Sequence, residues 1–129
     1  MKKLAFLIIS ALLLFSCQKQ DSNIASNLLG EWHYHTEYED DTLVDVYLRL
    51  QSVGEFELYQ LIGEGRYTYF RGVWTYKDGL LSGTYEDGSS WAASYKVEKL
   101  QDALLLTCNR HPEEEYLYLS CTIPELDIY

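Results

Sequence analysis

The chain has 129 residues, with 20 acidic against 10 basic side chains and a net charge of −10 when His is neutral. So few and scattered Lys and Arg cannot make the clustered phosphate contacts of nucleic-acid binding, which removes nucleic acid from the expected partners. The length suits one domain, and 12 Tyr with 3 Trp favour strands over helices.

The first element is an export segment. Met1-Lys2-Lys3 is positive, and residues 4–15 form an apolar run broken only by Ser10. As a helix that run spans roughly 18 Å, short of a hydrocarbon core of about 30 Å, so it reads as a secretory signal and not as a membrane span. Leu14-Phe15-Ser16-Cys17 closes it. This resembles the lipobox of bacterial lipoproteins: an aliphatic residue at −3, a small residue at −1, then the cysteine. The resemblance implies removal of residues 1–16, lipid on Cys17 (palmitate among its acyl chains), and a membrane anchor in the cell envelope, with the outer membrane as the expected site. Each buried CH₂ contributes about 0.8 kcal/mol, so several acyl chains hold a protein firmly to a bilayer. Without Lys2 and Lys3, 20 acidic residues face 8 basic ones, a net of −12. Anionic lipid would repel such a chain, and the acyl groups must do the anchoring. Residues 17–27, the cysteine and a polar stretch without alternation, read as a flexible tether. The domain is expected over 28–129.

From residue 28 onward the apolar positions recur with period two. Val44, Val46, Leu48 and Leu50 alternate with Asp45, Tyr47 and Arg49. The same rhythm assigns Phe56 and Leu58, then Trp91, Ala93, Tyr95 and Val97, then Leu117, Leu119, Cys121 and Ile123 to a buried face. On this pattern Tyr47, Tyr59, Tyr67, Tyr69, Tyr116 and Tyr118 fall on the polar face. Seven turn signals, among them Asp78-Gly79 and Asp87-Gly88, separate strands at about 29–38, 43–51, 55–61, 66–76, 80–85, 89–98, 103–109 and 115–123. The fold class is all-β: an antiparallel up-and-down barrel of about eight strands, closed so that no edge is left, with a β-sandwich as the alternative. A hairpin loop at 110–115 would set Cys108 opposite about Leu117 and Cys121 opposite about Leu104. That is roughly 13 Å of separation, beyond disulfide reach, so free thiols are expected.

Leu28-Leu29-Gly30-Glu31-Trp32 carries a Gly-x-Trp that resembles the start of the first strand in lipocalin-like barrels. Gly54-Glu55-Phe56-Glu57-Leu58 is similar to the turn-then-Phe strand of small lipocalin-like lipoproteins, and Arg71-Gly72-Val73-Trp74-Thr75-Tyr76 with Asp78-Gly79-Leu80-Leu81 to their Gly-x-Trp hairpin. The likeness runs over roughly residues 28–123. It implies a barrel with Trp32 plugging one end and an interior that binds a small apolar or amphipathic ligand. Trp32, Phe56, Trp74, Trp91 and Tyr95 are the interior candidates to line or plug it. Lipocalins place a late Arg on the first-strand Trp, and no Arg follows Arg110 here.

Other constellations carry less. His33 and His35 share a strand face and, with Glu31 or Glu37, offer metal-ligand types; outward-facing histidines on a wet surface are the preferred reading, and no metal is expected. Glu113-Glu114-Glu115 reads as a solvated hairpin tip. No Gly-x-Ser-x-Gly, phosphate loop or Cys–His nucleophile pair occurs, so neither catalytic residues nor a cofactor are expected. The alternative function is an inhibitor- or immunity-type envelope lipoprotein that recognises a basic protein through its acidic surface.

Overall fold

The computed structural model describes residues 25–128. The export segment 1–16, Cys17 and the tether as far as residue 24 lie outside the described residues. Among the described residues eight strands form the molecule: β1 (Gly30–Glu37), β2 (Leu43–Leu50), β3 (Glu55–Ile62), β4 (Thr68–Lys77), β5 (Leu80–Tyr85), β6 (Tyr95–Lys99), β7 (Ala103–Cys108) and β8 (Glu115–Ser120). Each pairs antiparallel with the next, and β8 returns to β1 through Trp32↔Ser120 and His33↔Leu119. The sheet is a closed up-and-down barrel, consistent with a lipocalin-like architecture, and not a sandwich.

Local chemistry accounts for the turns. Asp78 and Gly79 both hold positive φ, 55° and 79°, and join Lys77 directly to Leu80 across the ladder. Two consecutive left-handed residues match the right-handed twist of the flanking strands, and Asp and Gly tolerate that conformation best. In the longer β5–β6 connection, Asp87 accepts hydrogen bonds from the Ser89 amide at 2.9 Å and the Ser89 hydroxyl at 2.5 Å.

One end of the barrel is filled. Leu28, Leu50, Phe56, Leu81 and Leu104 are the largest fully buried side chains among the described residues, and Trp32, Trp74, Leu48 and Leu106 pack with them. Trp32 donates its Nε1 proton to the Leu28 carbonyl at 3.0 Å. Trp74 does the same to the Gln51 carbonyl at 3.1 Å, so both indoles at this end meet a partner. The cation over the Trp32 ring is Lys99, with Nζ 5.6 Å from the ring centre. A lysine at the end of β6 thus covers the first-strand Trp. Ala25 and Ser26, read above as tether, lie in a helical turn, and Ala25 packs on the core.

Two strands depart from the expected pattern. Residues 89–94 are not strand. Only Leu80↔Lys96 and Leu81↔Tyr95 join β5 to β6, and the earlier stretch touches β5 through a single Thr84↔Ser90 bridge. The Trp91 amide still donates to the Gly83 carbonyl at 2.9 Å, and its indole lies so close over Gly83 that a Cβ there would stand 2.3 Å from the ring; the pairing lapses after Trp91 and resumes at Tyr95.

β8 is inverted relative to its hydropathy. Leu104 faces Tyr118, not Cys121, a register offset of three residues. An odd offset moves every side chain to the other face. Tyr116 and Tyr118 point inward, whereas Leu117 and Leu119 stand outside at 46% and 53% exposure. Cys121 and Ile123 lie beyond the strand. Cys108 and Cys121 are free thiols, the first buried and the second half-buried.

The chain after β8 forms a strap. The Cys121 amide donates to the Glu31 carbonyl at 3.1 Å, and the Ile123 amide to the Glu31 carboxylate at 3.4 Å. Four residues later the Asp127 carbonyl accepts from the Tyr67 amide at 2.9 Å. Glu31 is on β1 and Tyr67 leads into β4, so residues 121–128 cross the outside of the barrel over β2 and β3.

Candidate functional site

Above the plug the barrel is open. A cavity of about 450 Å³ lies between the filled end and the loops joining β1–β2 and β5–β6. Val44, Val46, Leu48 and Leu58 give it an aliphatic wall; Tyr34, Tyr85, Trp91, Tyr95, Tyr116 and Tyr118 give it an aromatic one. Tyr38 and Ile62 mark the mouth, exposed at 55% and 60%. The period-two alternation of β1, β2 and β3 turns these side chains inward. The volume is within the ordinary range for a small-molecule site, which runs from about 300 to 1,000 Å³.

The aromatic wall is a connected cluster. Tyr34 meets Tyr116 edge-on at 5.3 Å and Tyr118 at 5.4 Å, and Trp91 meets Phe56 at 5.1 Å and Tyr95 at 6.4 Å. Burial pushes the hydroxyl pKa values of Tyr85, Tyr95, Tyr116 and Tyr118 up. The groups are protonated at neutral pH and offer O–H donors to the cavity. Trp91 Nε1 is buried with no hydrogen-bond partner among the described residues. An unpaired buried donor costs on the order of 1–3 kcal/mol; the indole edge that carries it packs against Gly83 of β5.

Of the interior candidates read from sequence, Trp91 and Tyr95 line the cavity. Trp32, Phe56 and Trp74 belong to the plug. Sequence reasoning missed Tyr116 and Tyr118 as lining residues, because the period-two rule sends the leucines of a Tyr-Leu-Tyr-Leu strand inward. It named neither Tyr34 nor Tyr85 as a lining residue, although Tyr34 shares the inward alternation of Trp32 on β1.

The outer wall of β1–β4 is organised in cross-strand rows. Glu31, Arg49, Glu57 and Arg71 are successive partners, as are His33, Tyr47, Tyr59 and Tyr69. Glu57 is one hub, accepting from Arg49 at 2.7 Å, Gln51 at 2.9 Å and Tyr69 at 2.8 Å. Burial works to raise its pKa, but these donors outweigh it and hold the carboxyl below its ordinary range. A polar depression of about 420 Å³ lies beside it, lined by Glu55, Glu57, Glu86 and Arg71, where Arg71 pairs with Glu86 at 2.7 Å. Asp45 is the second hub. It is 7% exposed and accepts from His33, His35 and Tyr67. The ligand-type atoms of His33, His35 and Asp45 all lie within 4.8 Å of one another.

Comparison with known proteins finds no matching family model, no matching curated protein and no matching solved structure.

Proposed function

We propose that this chain is a lipocalin-like lipoprotein, anchored in the cell envelope through acylated Cys17, that holds one small apolar or amphipathic molecule inside its barrel. The observation that carries the reading is the aromatic-walled cavity of about 450 Å³ left above the plug. An eight-stranded barrel has room for side chains or one small ligand, and here Trp32, Phe56, Trp74 and the buried leucines fill one end and leave the other open. The tyrosine hydroxyls among the lining residues favour a molecule with a polar acceptor on an otherwise apolar body. The lipobox-like Leu14-Phe15-Ser16-Cys17 supports the anchor.

Two experiments test this. Residues 18–129, exported without lipid and examined by native mass spectrometry, should carry a co-purified small molecule. Leu58→Trp, which places an indole in the cavity, should release it; a bare protein mass throughout, or the same adduct in the variant, contradicts the reading. In the full chain, Cys17→Ser should move the protein from the membrane to the soluble fraction, and membrane retention would remove the anchor.

One observation favours a second reading. The exposed Leu117 and Leu119 adjoin the exposed acidic tip Glu113-Glu114-Glu115. An apolar strip with an acidic rim suits a basic protein partner, whose capture would weaken with salt.

A further inference from the structure

The outer wall holds a group of side chains that ligand binding in the cavity does not use. His33 and His35 are two apart on β1, so both rings leave the same face. Asp45 is the direct cross-strand partner of His35. Its Oδ1 stands 2.5 Å from His33 Nε2 and 2.9 Å from His35 Nδ1. Tyr67 donates its hydroxyl proton to the other carboxylate oxygen. Tyr47 stacks on the His33 ring, with centroids 4.2 Å apart and planes 11° off parallel. Asp45 is buried beneath this group, while the His35 side chain is 50% exposed. One side of the cluster is held and the other faces solvent.

We propose that His33, His35 and Asp45 bind a divalent late first-row transition metal, with Zn²⁺ as the reference ion. Two imidazoles and one carboxylate, with a further position open to water, form a donor set that such ions take. Ligand bonds of about 2.0–2.1 Å in a tetrahedron require donor atoms about 3.4 Å apart. The two His–Asp separations must therefore widen by less than about 1 Å, which rotation of the side chains supplies. All three donors sit on paired strands and not on a loop, so little backbone freedom is lost on binding. The Tyr67 hydroxyl occupies Oδ2 and leaves Oδ1 for the metal, and the Tyr47 stack fixes one ring; such outer contacts orient ligands in metal sites. On binding, each ring presents the nitrogen that now faces Asp45, and the proton there passes to the ring's other nitrogen or to water.

The alternative is a purely structural trio of hydrogen bonds that keeps Asp45 satisfied, and metal affinity separates the two. The full chain, untagged, held in detergent and stripped with chelator, is titrated with ZnCl₂ alone by calorimetry and with CoCl₂ alone by visible absorption. We expect one equivalent of Zn²⁺ with a Kd at or below about 10 μM, and the visible bands of a low-coordinate Co²⁺ site. His35→Gln, at a half-exposed position, should weaken binding by at least about tenfold, and Tyr67→Phe by a smaller factor. Thermal melting of both variants, without metal, checks that the barrel persists. His111→Gln, on the exposed β7–β8 loop, should leave affinity unchanged. No binding to the unmodified chain at about 100 μM Zn²⁺, or equal affinity in a folded His35→Gln, would overturn the proposal.

Discussion

Asp45 shows at the scale of one residue how the wall is held. Burial by itself would raise its pKa, but hydrogen bonds from Tyr67, His33 and His35 outweigh that and hold it below the ordinary 3.8. A carboxyl depressed in the folded state adds stability that is complete above the unfolded value and is lost as pH falls through the folded one. Urea denaturation should therefore show stability falling below pH 3.8, with Glu57, depressed from 4.5, contributing in the same direction. Asp45→Asn should cost about 1–3 kcal/mol at neutral pH and flatten the acid limb. An unchanged acid limb would count against this account. Tyr69 acts at the other end of the scale: burial and the Glu57 hydrogen bond raise its pKa to about 12. Its contribution is present below pH 10 and is lost as pH rises through about 12. The sequence places His33 and His35 on one face, and it suggests Glu31 or Glu37 as their acidic neighbour. The actual neighbour is Asp45, because contact across a hairpin depends on register, and residues 38–42 set that register without a two-residue turn motif to announce it.

At the scale of elements, alternation and the turn signals between apolar runs gave the number and order of the eight strands, since a strand with one buried face repeats every two residues whatever its partners. Alternation failed where both faces of a strand are hydrophobic in character. In β8 the choice lay between leucines and tyrosines, and the interior has room and a use for the larger rings: Tyr116 meets Tyr34 and Tyr95 edge-on, and Tyr118 meets Tyr34 at 5.4 Å. Leu117→Lys and Leu119→Lys should accordingly change stability by no more than about 0.5 kcal/mol. Tyr118→Lys should destabilise the barrel by several kcal/mol, on the order of the cost of an unpaired buried charge. The reverse ranking in thermal melts would restore the hydropathy-based face. β6 was read six residues too early because Trp91 continues the apolar rhythm while the ladder lapses after it. Gly83→Ala, whose Cβ would meet the indole at 2.3 Å, should cost about 1–3 kcal/mol or more and shift Trp91 fluorescence; an unperturbed spectrum would mean the ring is not held there.

Across the whole molecule, the interior aromatic side chains divide between two tasks. Trp32, Phe56 and Trp74 complete the filled end, and Phe56→Ala should cost about 3–5 kcal/mol in denaturant unfolding. Trp91, Tyr95, Tyr116 and Tyr118 surround the space above it. Closure and the plug were legible in the sequence from turn spacing and Gly-x-Trp. The cavity was not, because its size is a difference between the volume the wall encloses and the volume the side chains fill, and no local pattern reports that difference. The most direct test is a fluorescence titration of residues 18–129, in buffer without detergent, with the neutral apolar dye N-phenyl-1-naphthylamine. The account predicts one saturable site, quenching of Trp91, and loss of binding in Leu58→Trp at unchanged melting temperature. A filled barrel would give no saturation, or binding untouched by Leu58→Trp, and either result would contradict a ligand-holding interior.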